Sequence, residues 1–172
     1  MLANKMHQQV HNEKVDELLK GHGLPQYHLI TAKAVNTQIP ILLKDLNTQL
    51  DQLEEYLELT LSSSGTLSWK DVMTPLQQLG ERLRWSWGIV CHLNGVCNSK
   101  EFREAHIRQQ PEVIRVTNQI GQSKILYKTL TKLNIESQKN LDETQKRILY
   151  SELLSMEQRG VGLDGSKKEL FN

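Results

Sequence analysis

Three residues near the middle of the sequence, Cys91, His92 and Cys97, have the side-chain types that bind metals or act as nucleophiles. In a helix, positions 91 and 97 are about 600° of rotation apart, so their side chains diverge by about 120°. His92 points about 100° away from Cys91, which places it poorly as a base for that thiol. Zinc motifs also need a second pair of ligands, and the sequence has none. We interpret both cysteines as buried or half-buried core residues, with a metal or redox site as the alternative.

Other pairs of titratable residues fit structural roles better than catalysis. His7 and His11 have the spacing of two zinc ligands, but Gln8 stands where the HExxH motif needs its glutamate. The paired carboxylates at 54–55 and at 101 with 104 lack the apolar surroundings that would raise a pKa, so we interpret them as solvated helix surface. The sequence has no phosphate-binding loop, hydrolase serine motif or di-iron motif. We predict no catalytic, cofactor-binding or metal-binding residue in this chain.

Helical periodicity dominates the rest of the sequence. Apolar residues recur every three or four positions from Val35 to Leu57, which predicts a long helix with Thr31 as its N-cap. A capping box at Ser68 predicts a second helix that runs to about residue 96. We expect it to be the central buried helix, because two apolar stripes cover most of its circumference: Leu76, Leu79, Leu83, Trp87 and Val90 in one, and Trp85, Ile89, Leu93 and Val96 in the other.

Prolines are expected to divide the helices. Pro40 is expected to lie in an early turn of the first helix or to mark a break, and Pro75 is expected to interrupt the second helix, because the ring removes one helical hydrogen bond. Asn98 or Ser99 is predicted to cap a third helix, which Pro111 kinks or restarts.

The remaining helical pattern completes the predicted fold. A last helix is expected from Asp142, with Gln145 three residues on, to a C-terminal cap at Gly160. No segment alternates apolar and polar residues as a strand would. We predict an all-α fold with long antiparallel helices in a bundle-like array.

Three segments are expected along the chain. Residues 1–23 are predicted to be a flexible N-terminal segment, and residues 24–165 form the helical domain. Residues 166–172 carry another capping-box spacing, but a helix of barely two turns is unstable alone. We interpret them as the start of a next helix that is cut short, as in a fragment or truncated product.

The composition limits the classes of partner and the compartment that we expect. The sequence has 21 basic and 20 acidic residues, interspersed, with a formal net charge of +1, so we expect no nucleic-acid partner. No apolar run approaches the roughly 20 residues that span a bilayer, so we expect no membrane partner. Two cysteines are too few for a disulfide framework, which favours a reducing, intracellular compartment.

The stretch RLRWSWGIVCHLNGVCNSKEFREAH, residues 82–106, resembles the N-terminal helical region of the thimet oligopeptidase and oligopeptidase A family of zinc metallopeptidases. The family's features fall on Trp87, Ile89, Val90, His92, Leu93, Asn94, Asn98, Ser99, Glu101, Arg103 and Glu104. Flanking similarities occur in the same order at Leu24-Pro25 with Tyr27 and Ile30, Ser68-Trp69 with Pro75-Leu76, Pro111-Glu112, Gly121-Gln122, Tyr127 and residues 160–163. The resemblance covers about residues 24–172 and is nearest to the oligopeptidase A branch.

That resemblance implies one lobe segment of a helical clamshell that encloses a channel for short peptides. In the family, an HExxH helix and a later glutamate bind zinc and activate water, downstream of the matching region. The resemblance therefore implies a scaffold and channel wall that is inactive by itself, with zinc only in the full-length protein. Its implied partners are short peptides and the remainder of the peptidase fold.

A second reading treats the chain as a stand-alone helical module that binds peptides or proteins and derives from such a peptidase. Self-association through an exposed former interface is expected if the chain is an excised peptidase domain. The expected localisation is cytoplasmic, or an organelle if a transit peptide precedes this sequence.

Overall fold

The computed structural model describes residues 16–63, 67–97, 99–136, 140–163 and 167. Within these residues the chain forms five α-helices: α1 Ala32–Ser62, α2 Trp69–Val96, α3 Lys100–Gly121, α4 Lys124–Glu136 and α5 Glu143–Gln158. Two 3₁₀ turns, Glu17–Leu19 and Tyr27–Leu29, precede α1. The described residues contain no strand, and the all-α prediction is confirmed.

Helix boundaries follow the predicted caps. Four helices begin with a side-chain oxygen that accepts a hydrogen bond from a backbone N–H three residues later. The accepting side chains are those of Thr31, Ser68, Ser99 and Asp142. Asp71 and Gln145 return the hydrogen bond and complete two capping boxes. Gly160 follows α5 with a φ of 77°, a left-handed conformation that glycine adopts at little steric cost. These caps are local, which explains why sequence spacing predicted them.

The prolines do not divide the helices. Pro40, Pro75 and Pro111 all lie inside continuous helices, so the expected interruptions and the restart at Pro111 are wrong. Pro40 and Pro111 are exposed, so both rings lie on the solvent side of their helices. The break comes instead after Gly121, where the Ser123 hydroxyl accepts the N–H of Leu126 at 3.2 Å and starts α4.

The central helix is α1, not α2. Helix α1 packs against α2, α3, α4 and the first 3₁₀ turn, whereas α5 packs mainly on α4. Leu42, Leu46 and Leu50 of α1 are wholly buried. On α2, Val96 is 68% exposed although it belongs to a predicted buried stripe. The expectation of a buried central α2 is therefore wrong for its C-terminal end, because no described element covers that side.

The segment before α1 packs against the helices through Leu18. This residue comes before residue 24, where the helical domain was predicted to begin. Leu18 is wholly buried, and its N–H donates to Gln38 Oε1 at 2.9 Å. Its carbonyl accepts the hydroxyl of Ser86 at 2.6 Å. Burial raises the pKa of the neighbouring Glu17 carboxyl, but hydrogen bonds from Lys20 and the Gln26 N–H outweigh it, so this pKa lies below its ordinary value.

Some predictions concern residues that the structure does not describe. His7, His11 and the proposed helix start at 166–172, apart from Lys167, lie outside the described residues. Among the helices that the structure describes, none combines the length and apolar character needed to cross a membrane.

Candidate functional site

Both cysteines are exposed, so their interpretation as core residues is wrong. Val90 and Leu93 lie on the buried face of α2, and Cys91 lies to one side of that face. Cys97 is the C-terminal cap residue of α2 and is exposed. Helical periodicity identified the buried face correctly at these positions but did not show how much of the circumference was covered.

Cys91 contacts a histidine that is not among the predicted candidate residues. Its Sγ lies 3.6 Å from Nε2 of His106, which comes from α3. The indole ring of Trp87, four residues before Cys91 on α2, stacks on the His106 imidazole with 4.8 Å between centroids and 16° between planes. Trp87 and Cys91, one helical turn apart on α2, thus both contact the same imidazole. The contact depends on how α2 and α3 align, which no local spacing predicts.

This thiol–imidazole pair has the residue types of a nucleophile and its base, but not their electrostatics. Although the residue as a whole is exposed, partial desolvation by neighbouring atoms raises the pKa of the Cys91 thiol, which favours the protonated and less reactive form. The described residues contain no group of three or more His, Cys, Asp or Glu side chains that could hold a metal ion. The geometry favours a packing contact at the α2–α3 crossing.

We expect Cys91 to react slowly with alkylating reagents. In a Cys97→Ser variant, iodoacetamide should label Cys91 severalfold more slowly than it labels glutathione at pH 8, because the thiol pKa lies above its ordinary value of 9.0. Mass spectrometry of timed samples measures the rate, and a Cys91→Ser variant reports on Cys97. Labelling of Cys91 faster than glutathione would instead reveal a thiolate stabilised by His106.

The other candidate groups lie apart from this pair. His92 is exposed and its ring is 5.9 Å from that of Tyr27. Glu55 and Glu104 are exposed. The Ser99 hydroxyl beside Glu101 holds the pKa of that carboxyl below its ordinary value, opposite to the shift that a general acid needs.

A groove of about 490 Å³ lies between α2, α3 and α5. It exists because α5 packs mainly on α4 and leaves space beside α2. Its lining residues are Gly80, Leu83, Arg84, Trp87 and Gly88 from α2, Val113, Thr117, Ile120 and Gly121 from α3, and Glu152, Ser155 and Arg159 from α5 and its end. Apolar side chains and two arginines therefore share one concave surface.

Known proteins match this chain over most of its length. The family model described as "Neurolysin/Thimet oligopeptidase, N-terminal domain" matches residues 39–168. The chain is 30% identical over 156 residues to the probable cytosolic oligopeptidase A of Arabidopsis thaliana, covering 90% of this chain and 21% of that protein. It is 28% identical over 155 residues to oligopeptidase A of Escherichia coli, covering 90% of this chain and 22% of the relative.

A third relative, oligopeptidase A of Haemophilus influenzae, is 27% identical over 155 residues, again across 90% of this chain and 22% of the relative. The chain thus spans about a fifth of the length of these relatives. Within residues 82–106, the stretch that first indicated the family, the second half of α2 and the start of α3 include the Trp87–His106 contact. By the match of the family model to most of its residues, the chain belongs to the neurolysin/thimet oligopeptidase family, in the N-terminal domain.

Proposed function

We propose that this chain is the N-terminal helical domain of an oligopeptidase A-like zinc metalloendopeptidase that degrades short peptides. The observation that carries the proposal is the match of residues 39–168 to the N-terminal domain of the family. The match to about a fifth of each relative supports it, because the remaining four-fifths would supply the catalytic part.

The proposed role is a scaffold and part of the channel wall. The long continuous helices α1, α2 and α3 support this role, because a rigid packed array can hold a wall in place. In this proposal zinc belongs to the full-length protein, and this chain has no catalytic, metal-binding or cofactor-binding residue of its own. Its partners are short peptides and the remainder of the peptidase fold, without nucleic acid or membrane.

Exposed apolar side chains support an interface with further protein. Ile135, Tyr150 and Leu59 are 72%, 67% and 66% exposed. In this proposal the rest of the peptidase covers some of these side chains, and the isolated chain self-associates through them. We propose a cytoplasmic location, with an organelle as the alternative; one relative is described as cytosolic and another as chloroplastic/mitochondrial.

The second candidate is a stand-alone helical module that binds peptides or proteins. The groove between α2, α3 and α5 favours it, because a concave apolar surface with a few polar groups is typical of ligand sites.

Reading the gene past the codon for Asn172 separates the two candidates. An in-frame continuation that encodes an HExxH helix and a later glutamate is expected if the chain is a peptidase domain. A stop codon directly after this position contradicts the peptidase proposal and favours the binding module.

A further inference from the structure

Two glycines inside α2 face the groove although the described fold does not require them. Gly80 and Gly88 lie one helical turn to either side of Arg84. A Cβ atom built at Gly88 meets no atom within 4 Å, and one at Gly80 meets only an Arg84 guanidinium nitrogen, at 3.9 Å. Neither has a positive φ. Because glycine inside a helix is less stable than alanine, these positions keep the groove open at a cost to the helix.

The chemistry of the groove is mixed. Leu83, Val113 and Ile120 contribute apolar surface. Arg84 and Arg159 line the same groove, and across the described ranges no carboxylate oxygen lies within 4.0 Å of either guanidinium. Two cationic groups beside apolar surface match a ligand that carries both a carboxylate and apolar side chains.

A third glycine leaves room for the Arg159 side chain to cross α3. A Cβ atom built at Gly121 of α3 would collide with the stem of the Arg159 side chain. The stem therefore crosses the end of α3 where the side chain is missing, and Gln122 Nε2 donates to the Arg159 carbonyl at 2.9 Å. Glu152 is the one carboxylate among the groove residues, so the groove carries a net positive charge.

We propose that this groove binds short acidic peptides in which a glutamate or aspartate alternates with apolar residues. The guanidinium groups of Arg84 and Arg159 pair with the peptide carboxylates, and the apolar side chains pack on Leu83 and its neighbours. The peptide backbone approaches α2 at the two glycines. The volume of about 490 Å³ lies within the usual range of ligand sites, about 300–1,000 Å³. The inference rests on the proposed function in one respect, that the ligands are peptides, and it names their class.

Fluorescence anisotropy with three labelled octapeptides tests the proposal on the whole chain. The first alternates leucine and glutamate, the second leucine and glutamine, and the third leucine and lysine. We expect the glutamate peptide to bind about tenfold more tightly than the glutamine peptide, and the lysine peptide to bind most weakly. Equal affinities for the three peptides, or no binding of any, overturn the proposal.

Matched variants locate the binding. The double variant Arg84→Gln and Arg159→Gln should lose the preference for glutamate, whereas Arg108→Gln, at an exposed arginine of α3 outside the groove, should keep it. Gly88→Leu should fill the groove and weaken all binding tenfold or more, whereas Gly95→Leu on the same helix should not.

Circular dichroism measures the helicity of each variant, and sedimentation measures its oligomeric state. Native helicity in the Gly88→Leu chain is expected, because the added side chain enters open space. An unchanged preference for glutamate in the double arginine variant overturns the proposal. So does a dimer that Gly88→Leu dissociates, because the occupant is then a second copy. The peptidase proposal fails separately, on the absence of a downstream HExxH helix.

Discussion

Replacing Leu46 with alanine should lower the free energy of unfolding by about 2–5 kcal/mol. Leu46 lies near the middle of α1 and is wholly buried, so truncation leaves a cavity among helices that all contact α1. For a small domain this is a large part of its total stability. Equilibrium unfolding in urea, followed by circular dichroism at 222 nm, measures the change.

Two control variants show whether α1 is the central helix. Leu59→Ala removes a leucine from the same helix that is 66% exposed, and Val96→Ala shortens a residue of α2 that is 68% exposed. Each should change the free energy of unfolding by no more than about 0.5 kcal/mol. A cost at Val96 equal to that at Leu46 would restore α2 as the buried centre of the domain.

The second large effect is expected where the first 3₁₀ turn is fastened to the helices. Ser86→Ala leaves the carbonyl of Leu18 without its partner in a buried place, which should cost about 1–3 kcal/mol. We expect this loss of stability to be confined to the segment before α1, because Leu18 belongs to that short segment and not to a helix of the bundle. Opening of that segment should therefore increase by roughly 5- to 150-fold.

Limited trypsin digestion reads out this opening at Lys20, one residue after the 3₁₀ turn. Mass spectrometry should show cleavage after Lys20 accelerating in Ser86→Ala, by a factor that follows the opening equilibrium. Ser62→Ala is the matched control, because its hydroxyl makes an exposed bond to the Glu58 carbonyl within one helix. Equal cleavage rates for the two variants would show that the Ser86–Leu18 bond does not hold the segment.

The part of the fold that sequence predicted is the part set by neighbouring residues. The capping box at Ser68 and Asp71 joins groups three positions apart, so residue type and spacing contain the whole interaction. The same holds for Gly160, whose positive φ depends on the end of one helix. Helix existence and type followed from these signals and from the apolar repeat.

Interactions between distant residues were not predictable in this way. The Cys91–His106 contact joins residues 15 positions apart on two helices, and its existence depends on their alignment. The exposure of Cys91 likewise depends on which sides of α2 other helices cover. The apolar repeat gives the direction of the buried face but not its width.

The prolines show a third limit. The prediction of a break at Pro111 considers only the cost of proline in a helix interior, about 3 kcal/mol from the lost hydrogen bond and the ring clash. It does not count the packing of Val113 and Val116, which are 4% and 0% exposed on the continuing helix. Burial of these side chains offsets the lost bond, because each contributes about 1.5–3 kcal/mol. The helix therefore continues through the proline.

The chain belongs to the neurolysin/thimet oligopeptidase family, and the central proposal is that it does not cleave peptides by itself. The most direct test incubates the purified 172-residue chain with a quenched fluorescent peptide and added zinc, with and without a chelator. Oligopeptidase A of Escherichia coli serves as the positive control. We predict no chelator-sensitive cleavage by the chain at concentrations where the control is active. Zinc-dependent, chelator-sensitive cleavage that copurifies with the chain through two chromatographic steps would contradict the account.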